Sequence, residues 1–256
     1  MKLNANEIKL LKQLPKGGYD KFKVEFLYHS NKMEGSTFNK AQIIKVLNDK
    51  VVEGTHSLND VYETRNSLEL FDFLINTIDE PLTPNLIKDY HAILMRDSDN
   101  EINKKLRGTF RPFDVEISGV DLQLSPPINI SDNLNKCIYA YNHSDKNIDA
   151  IAKFHSTFEQ IHPFHDGNGR VGRFIILKQC VINNIDLIAI DSEFETDYKK
   201  ALFKSQKYGL ERDLIDVFKS SQLRLDLKMK NFKSSLDYVK KEAQPPSKMK
   251  NDDLTI

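Results

Sequence analysis

The chain has 256 residues, 29% charged and 39% hydrophobic, with ten Gly and nine Pro, which excludes a collagen-like or largely disordered chain. Lys+Arg and Asp+Glu each total 37, so net charge gives no reason to expect nucleic acid as a partner, and two Cys cannot build a disulfide framework. No apolar run approaches the roughly 20 residues of a membrane-spanning helix, and the N-terminus lacks a signal-peptide pattern.

Few Gly and Pro, abundant Leu, Ile, Lys and Asn, and apolar spacings of three and four predict a mostly helical protein. Phe22, Phe26 and Met33 form an apolar stripe that ends at Gly35, a helix C-cap. Ser30 and Glu34 share a face of that helix, which leaves Glu34 at its negative end and in need of a cationic partner. Thr83-Pro84 opens a helix through Leu94 and Met95. Over 107–120, Val115, Ile117 and Val120 alternate with polar or small residues, which predicts a short exposed hairpin. Ser131-Asp132 caps a helix to about Tyr141. The stripe Ile151, Phe154, Phe158, Ile161 gives another over 149–161, stopped by Pro163. Residues 168–182 leave little room for a polar face, which marks the central buried helix. From Lys219 to Lys250 nine Lys or Arg face three acids, and the expectation is a solvated surface helix that frays after Pro245-Pro246. The whole reads as a cytoplasmic, soluble protein.

The chemistry concentrates in His162-Pro163-Phe164-His165-Asp166-Gly167-Asn168-Gly169-Arg170-Val171-Gly172-Arg173. Here one helix ends, a Gly-rich loop follows, and the most buried helix begins. Gly167 and Gly169 let backbone N–H groups converge at a helix N-terminus, a ready anion site. Arg170 and Arg173, three apart, offer two planar cations to phosphate oxygens. Asp166 is a hard oxygen ligand suited to Mg²⁺ carrying phosphates, and His162 is a base whose ordinary pKa lies near neutrality. Together these groups describe phosphoryl or nucleotidyl transfer. A rival reading takes His155, His162 and the His165-Asp166 pair as metal ligands of an HD-type phosphohydrolase, although Pro163 and Gly167 put that pair in a loop.

The segment matches the signature H-x-F-x-[D/E]-G-N-G-R-x-x-R at every specified position, and so resembles the Fic family. The resemblance implies an all-α Fido fold with a short β-hairpin flap, and transfer of AMP from ATP to a Ser, Thr or Tyr hydroxyl of a target protein or of the chain itself. It implies His162 as the base, Asp166 as the Mg²⁺ ligand, and Gly167, Asn168 and Gly169 as the anion hole. Arg170 then contacts the β- and γ-phosphates, and Phe164 is a core anchor. Gly108-Thr109-Phe110-Arg111 with Val115, Glu116 and Ile117 resembles the flap that aligns the target by strand addition. Asp197-Tyr198 to Leu202 is similar to the helix lining the adenine pocket. Ser30 to Gly35 fits the inhibitory pattern [S/T]-x-x-x-E-[G/N], which implies that Glu34 pairs with Arg173 and holds ATP misaligned. The same residues serve removal of AMP from a modified protein, or another nucleotide donor, and the family admits a homodimer. The expected organisation is an inhibitory segment over 1–36, a Fic core over 37–220 and a helix with a basic tail over 221–256, without an appended DNA-binding module.

Overall fold

The structure is a computed structural model and describes residues 1–14, 17–98, 100–117 and 119–229, together with Asp237. Among these residues the chain forms α1 (Ala5–Lys12), α2 (Gly18–Lys32), α3 (Lys40–Asp49), α4 (Leu58–Asn76), α5 (Pro84–Leu94) and α6 (Glu101–Leu106). After a long loop come α7 (Ile130–Asn142), α8 (Ile148–Ile161), α9 (Asn168–Ile182), α10 (Glu195–Tyr208) and α11 (Arg212–Lys228). The fold is all-α, as the composition implies. No helix among the described residues is long and apolar enough to cross a membrane.

Cap chemistry sets most of the helix starts. Thr83 Oγ1 accepts the Leu86 N–H with Pro84 at the first helical position, and Asn147 Oδ1 caps α8 by accepting the Ala150 N–H. The start expected at Ser131-Asp132 lies earlier: a 3₁₀ turn over Pro127–Asn129 leads directly into α7 at Ile130. α8 ends at Ile161, because His162 adopts φ +50 as its left-handed C-cap and Pro163 follows.

α9 is the centre of the molecule. Its residues Val171, Phe174, Ile175, Leu177, Cys180 and Val181 are each 0% exposed, and it packs against α2, α4, α5 and α8. Phe26 of α2 meets Phe174 edge-on at 5.2 Å, and Phe71 of α4 meets Phe26 at 5.8 Å. This aromatic cluster holds the middle of α2 against the second turn of α9.

Two expectations are corrected. No strand pairing forms over 107–120 among the described residues; the segment is held by a turn in which Val120 N–H donates to the Ile117 carbonyl. An alternating pattern describes one strand and leaves its partner unspecified, and the apolar residues here are only half-buried. The second correction concerns the start of α11, a surface helix with one buried face. It begins at Arg212 and buries Leu214, Phe218 and Leu225 against α8 and α10, so the boundary expected at 220 falls inside it. The part of the basic tail beyond residue 229 lies outside the described residues, Asp237 apart. The stop at Gly35 is as expected: past Lys32 the helix closes in a turn with Gly35 at φ +88, where the Gly35 N–H donates to the Lys32 carbonyl and the Ser36 N–H to the Asn31 carbonyl.

Candidate active site

The site is built around the loop 162–168 and the first turn of α9. Gly167 is the N-cap of α9 at φ +76. A Cβ there would also lie 3.2 Å from Met95 Sδ and 3.3 Å from Leu94 Cδ2, so both backbone sign and packing demand glycine. The loop is closed by an internal clamp. Asn168 Oδ1 accepts the Phe164 N–H and Asn168 Nδ2 donates to the Phe164 carbonyl, both at 2.9 Å. The Asn168 side chain is therefore consumed by the loop, and only its backbone is left for an anion. Phe164 is 0% exposed and stacks on His91 at 3.9 Å, which makes it the core anchor expected of it.

His91, on α5, is a site-supporting residue that the sequence did not single out. Its Nδ1 accepts the Gly108 N–H at 3.0 Å and its Nε2 lies 3.2 Å from the Asp166 carbonyl, so one imidazole ties α5 to both flanking loops. Burial pushes it down to about 4, so it is neutral at neutral pH. Arg111 is a second such support. Nearly fully buried, it donates from Nε to the His162 carbonyl at 2.8 Å, from Nη1 to the Phe113 carbonyl at 2.8 Å, and from Nη2 to the Ser125 carbonyl at 2.5 Å. Both ends of the 107–126 segment are thereby fastened to the His162 backbone. Within that segment Val115 and Ile117 are half-buried and Glu116 is exposed.

His162 is half-buried, and burial lowers its imidazole to about 4, which leaves an uncharged ring at neutral pH. Its Nδ1 has no partner in the protein. Asp166 accepts the Gly167 N–H at 2.6 Å on Oδ1 and Asn103 Nδ2 at 3.0 Å on Oδ2. Its side chain is 45% exposed, so a hydrated Mg²⁺ could reach its remaining lone pairs. Among the described residues no three His, Cys, Asp or Glu groups come together to hold a metal. The donor set thus fits an ion bound through one carboxylate, waters and phosphates, and not an all-protein cage. The residues of the HD-type reading point apart: His155 Nε2 meets Tyr198 Oη at 2.7 Å, and His165 packs edge-on against Phe113.

The two arginines have separate partners. Arg173 donates from Nε to Ser30 Oγ at 2.9 Å, and from Nη2 to the Ser30 carbonyl at 3.0 Å and Glu34 Oε1 at 2.5 Å. Ser30 and Glu34 therefore meet on one guanidinium, as their spacing predicts. Burial works against the Glu34 charge, but Arg173 and then Arg170 outweigh it and hold the carboxyl below its ordinary value. The same carboxylate covers the start of α9, since a Cβ on Gly169 would lie 2.8 Å from Glu34 Oε1. Arg170 Nη1 instead donates to Glu63 Oε2 of α4 at 2.6 Å, another partner the sequence reading missed.

Behind Arg173 lies a buried polar layer. Tyr198 is 3% exposed with its hydroxyl on His155, so it supports the site from inside and does not line an open pocket face. Glu159 is nearly fully buried, its Oε1 has no partner, and burial pushes it up to about 8 despite Arg173. A Cβ on Gly172 would fall 2.2 Å from that oxygen, which explains glycine between the two arginine turns.

Residues 81–180 match the model of the Fic/DOC family. The probable protein adenylyltransferase aq_aa38 of Aquifex aeolicus (strain VF5) is 41% identical over 78 residues, 29% of this chain and 24% of the relative. The chain thus matches about a quarter of that relative's length. A Fic domain containing signaling protein from Bacteroides thetaiotaomicron VPI-5482 superposes with a TM-score of 0.72 at 22% identity, over 89% of this chain and 97% of that one. Fic-1 (residues 134–508) from C. elegans gives a TM-score of 0.72 at 19% identity, over 89% of this chain and 67% of that one. These two structures speak for the fold, and the family match spans the loop and helix on which the anion site is built. Residues 81–180 thus carry a Fic/DOC family match, on a fold shared with solved Fic domain structures.

Proposed function

We propose that the chain is a protein adenylyltransferase that moves AMP from ATP to a Ser, Thr or Tyr hydroxyl of a protein, itself included, and that Glu34 holds it inactive. The observation that carries this reading is the carboxylate of Glu34 lying on Arg173 and over Gly169, where an anionic ligand of the α9 N-terminus would sit. An anion drawn from a neighbouring helix and seated in an anion cradle is what a competitive internal inhibitor looks like.

In the reaction, the neutral His162 imidazole accepts the proton of the target hydroxyl. The hydroxyl oxygen forms a bond to the α-phosphorus, the bond from that phosphorus to the bridging oxygen breaks, and pyrophosphate leaves with its electron pair. Backbone N–H groups of Asn168 and Gly169 and the Arg170 and Arg173 guanidiniums carry the phosphate charge in a preorganised site, the Gly167 N–H being held by Asp166. Mg²⁺, held through Asp166, supplies charge neutralisation of the phosphates when bound. Val115, Glu116 and Ile117 are the segment along which a target would align. With Glu34 in place, Arg173 has no free N–H pair for a phosphate, and the nucleotide is displaced from in-line geometry.

The test compares ATP labelled at the α-phosphorus with ATP labelled at the γ-phosphorus, using the Glu34→Gly variant. AMP transfer labels protein from the first and not from the second, and His162→Ala in that background abolishes labelling. Label from the γ-position alone would make the chain a phosphoryl transferase and overturn the reading.

A further inference from the structure

We infer that Glu63 of α4 is the positioning residue for Arg170, and that it leaves the Nε–Nη2 edge of that guanidinium without a hydrogen-bond partner, to be met by phosphate; the inference rests on the reading of the cradle as a nucleotide site. The Arg170 side chain is 3% exposed and that of Glu63 is 22% exposed, so the pair is formed largely out of water. Contact is through one corner only: Nη1 donates to Glu63 Oε2 at 2.6 Å. On the opposite edge, Nε is buried without a hydrogen-bond partner, and Nη2 approaches only Asp166 Oδ1, at 3.8 Å. The Nε–Nη2 edge presents two parallel N–H groups to an oxyanion.

Glu63 is itself held. Its Oε1 accepts Asn59 Nδ2 at 2.7 Å, one turn earlier on α4. Each carboxylate oxygen thus has its own partner, and the carboxylate is not free to swing round and occupy both edges of the arginine. Arg173 shows the opposite arrangement. There the Nε–Nη2 edge is filled by Ser30 and Glu34. One arginine has its Nε–Nη2 edge filled by the inhibitory segment, while the other is anchored at Nη1 and its Nε has no hydrogen-bond partner. A buried arginine without such an anchor would lose its counter-charge and sample other rotamers of its long stem. Glu63 acts through Arg170 and touches no reacting atom.

The experiment measures Mg²⁺-ATP and AMP affinities by titration calorimetry in the Glu34→Gly background. Adding Glu63→Gln is expected to weaken ATP about tenfold, roughly 1.4 kcal/mol, while AMP, which lacks the outer phosphates, is unchanged. Asn59→Ala, which frees Glu63 without removing it, gives a smaller loss of the same selectivity. On top of Arg170→Ala, Glu63→Gln adds no further loss, since the two act as one unit. Unchanged or tighter ATP binding in Glu63→Gln overturns the inference, as does an equal loss for AMP or an additive loss beside Arg170→Ala. If Glu34→Gly itself binds neither nucleotide, the nucleotide reading fails first and takes the inference with it.

Discussion

Asn168→Ala removes the clamp that shapes the loop 162–168. In the native structure the Asn168 amide satisfies both the N–H and the carbonyl of Phe164 at 2.9 Å, and both residues are almost fully buried. Alanine leaves two buried backbone groups without partners, each costing about 1–3 kcal/mol, with some relief as water enters the opened loop. A net loss of about 3 kcal/mol is expected, which lowers Tm by about 6–12 °C for a protein of this size. Asn168→Asp keeps an acceptor for the Phe164 N–H and adds charge at a helix N-terminus, but it sets an oxygen against the Phe164 carbonyl. It should fall between alanine and the native residue. Differential scanning calorimetry at one pH provides the measurement. A shift for Asn168→Ala below about 2 °C would mean that the clamp adds little beyond the packing of Phe164.

Three further expectations follow from the buried groups around the site. Glu159 is pushed up to about 8, so the folded state keeps a proton that an unfolded carboxyl, near about 4.3, gives up. Its favourable contribution is complete below about pH 4.3 and is lost as pH rises towards 8. Glu159→Gln should therefore gain stability relative to the native chain between pH 5 and pH 8 in urea unfolding, and an equal difference at both pH values contradicts this. Arg111→Lys keeps the charge but cannot serve three carbonyls, and should cost about 2–4 kcal/mol by the same method; a loss under about 0.5 kcal/mol refutes the anchoring role. With His162 at about 4, labelling by Glu34→Gly should hold level down to about pH 5.5, and a half-loss near the ordinary histidine value of about 6.5 would count against a buried neutral base.

Local periodicity made α8 and α9 legible. The stripe through Phe154 and Phe158, the stop at Pro163 and the glycine-capped start at Asn168 are all near-neighbour signals. The Ser30–Glu34 face was legible for the same reason, and its partner was reached through the family likeness. What was not legible lies far along the chain. Arg170 and Glu63 are 107 residues apart, and His91 is 75 residues from Asp166, so no window of sequence contains both partners. The only sign of Glu63 was a polar pair, Asn59 and Glu63, one turn apart near the start of α4, which is also what a solvated helix face looks like. Tyr198 was misplaced because burial of a lone tyrosine depends on what packs over its helix, here the His155 face of α8. The hairpin failed because period-two alternation describes side chains and leaves the partner strand unspecified.

The central claim is that the Glu34 carboxylate, held by Arg173 over the first turn of α9, keeps a competent site closed. Incorporation of label from ATP carrying a radioactive α-phosphorus, compared among the native chain, Glu34→Gly and Glu34→Gly with His162→Ala, tests it most directly. Weak labelling of the native chain, strong labelling of Glu34→Gly and none in the double variant are expected. Labelling of Glu34→Gly no stronger than that of the native chain would contradict it.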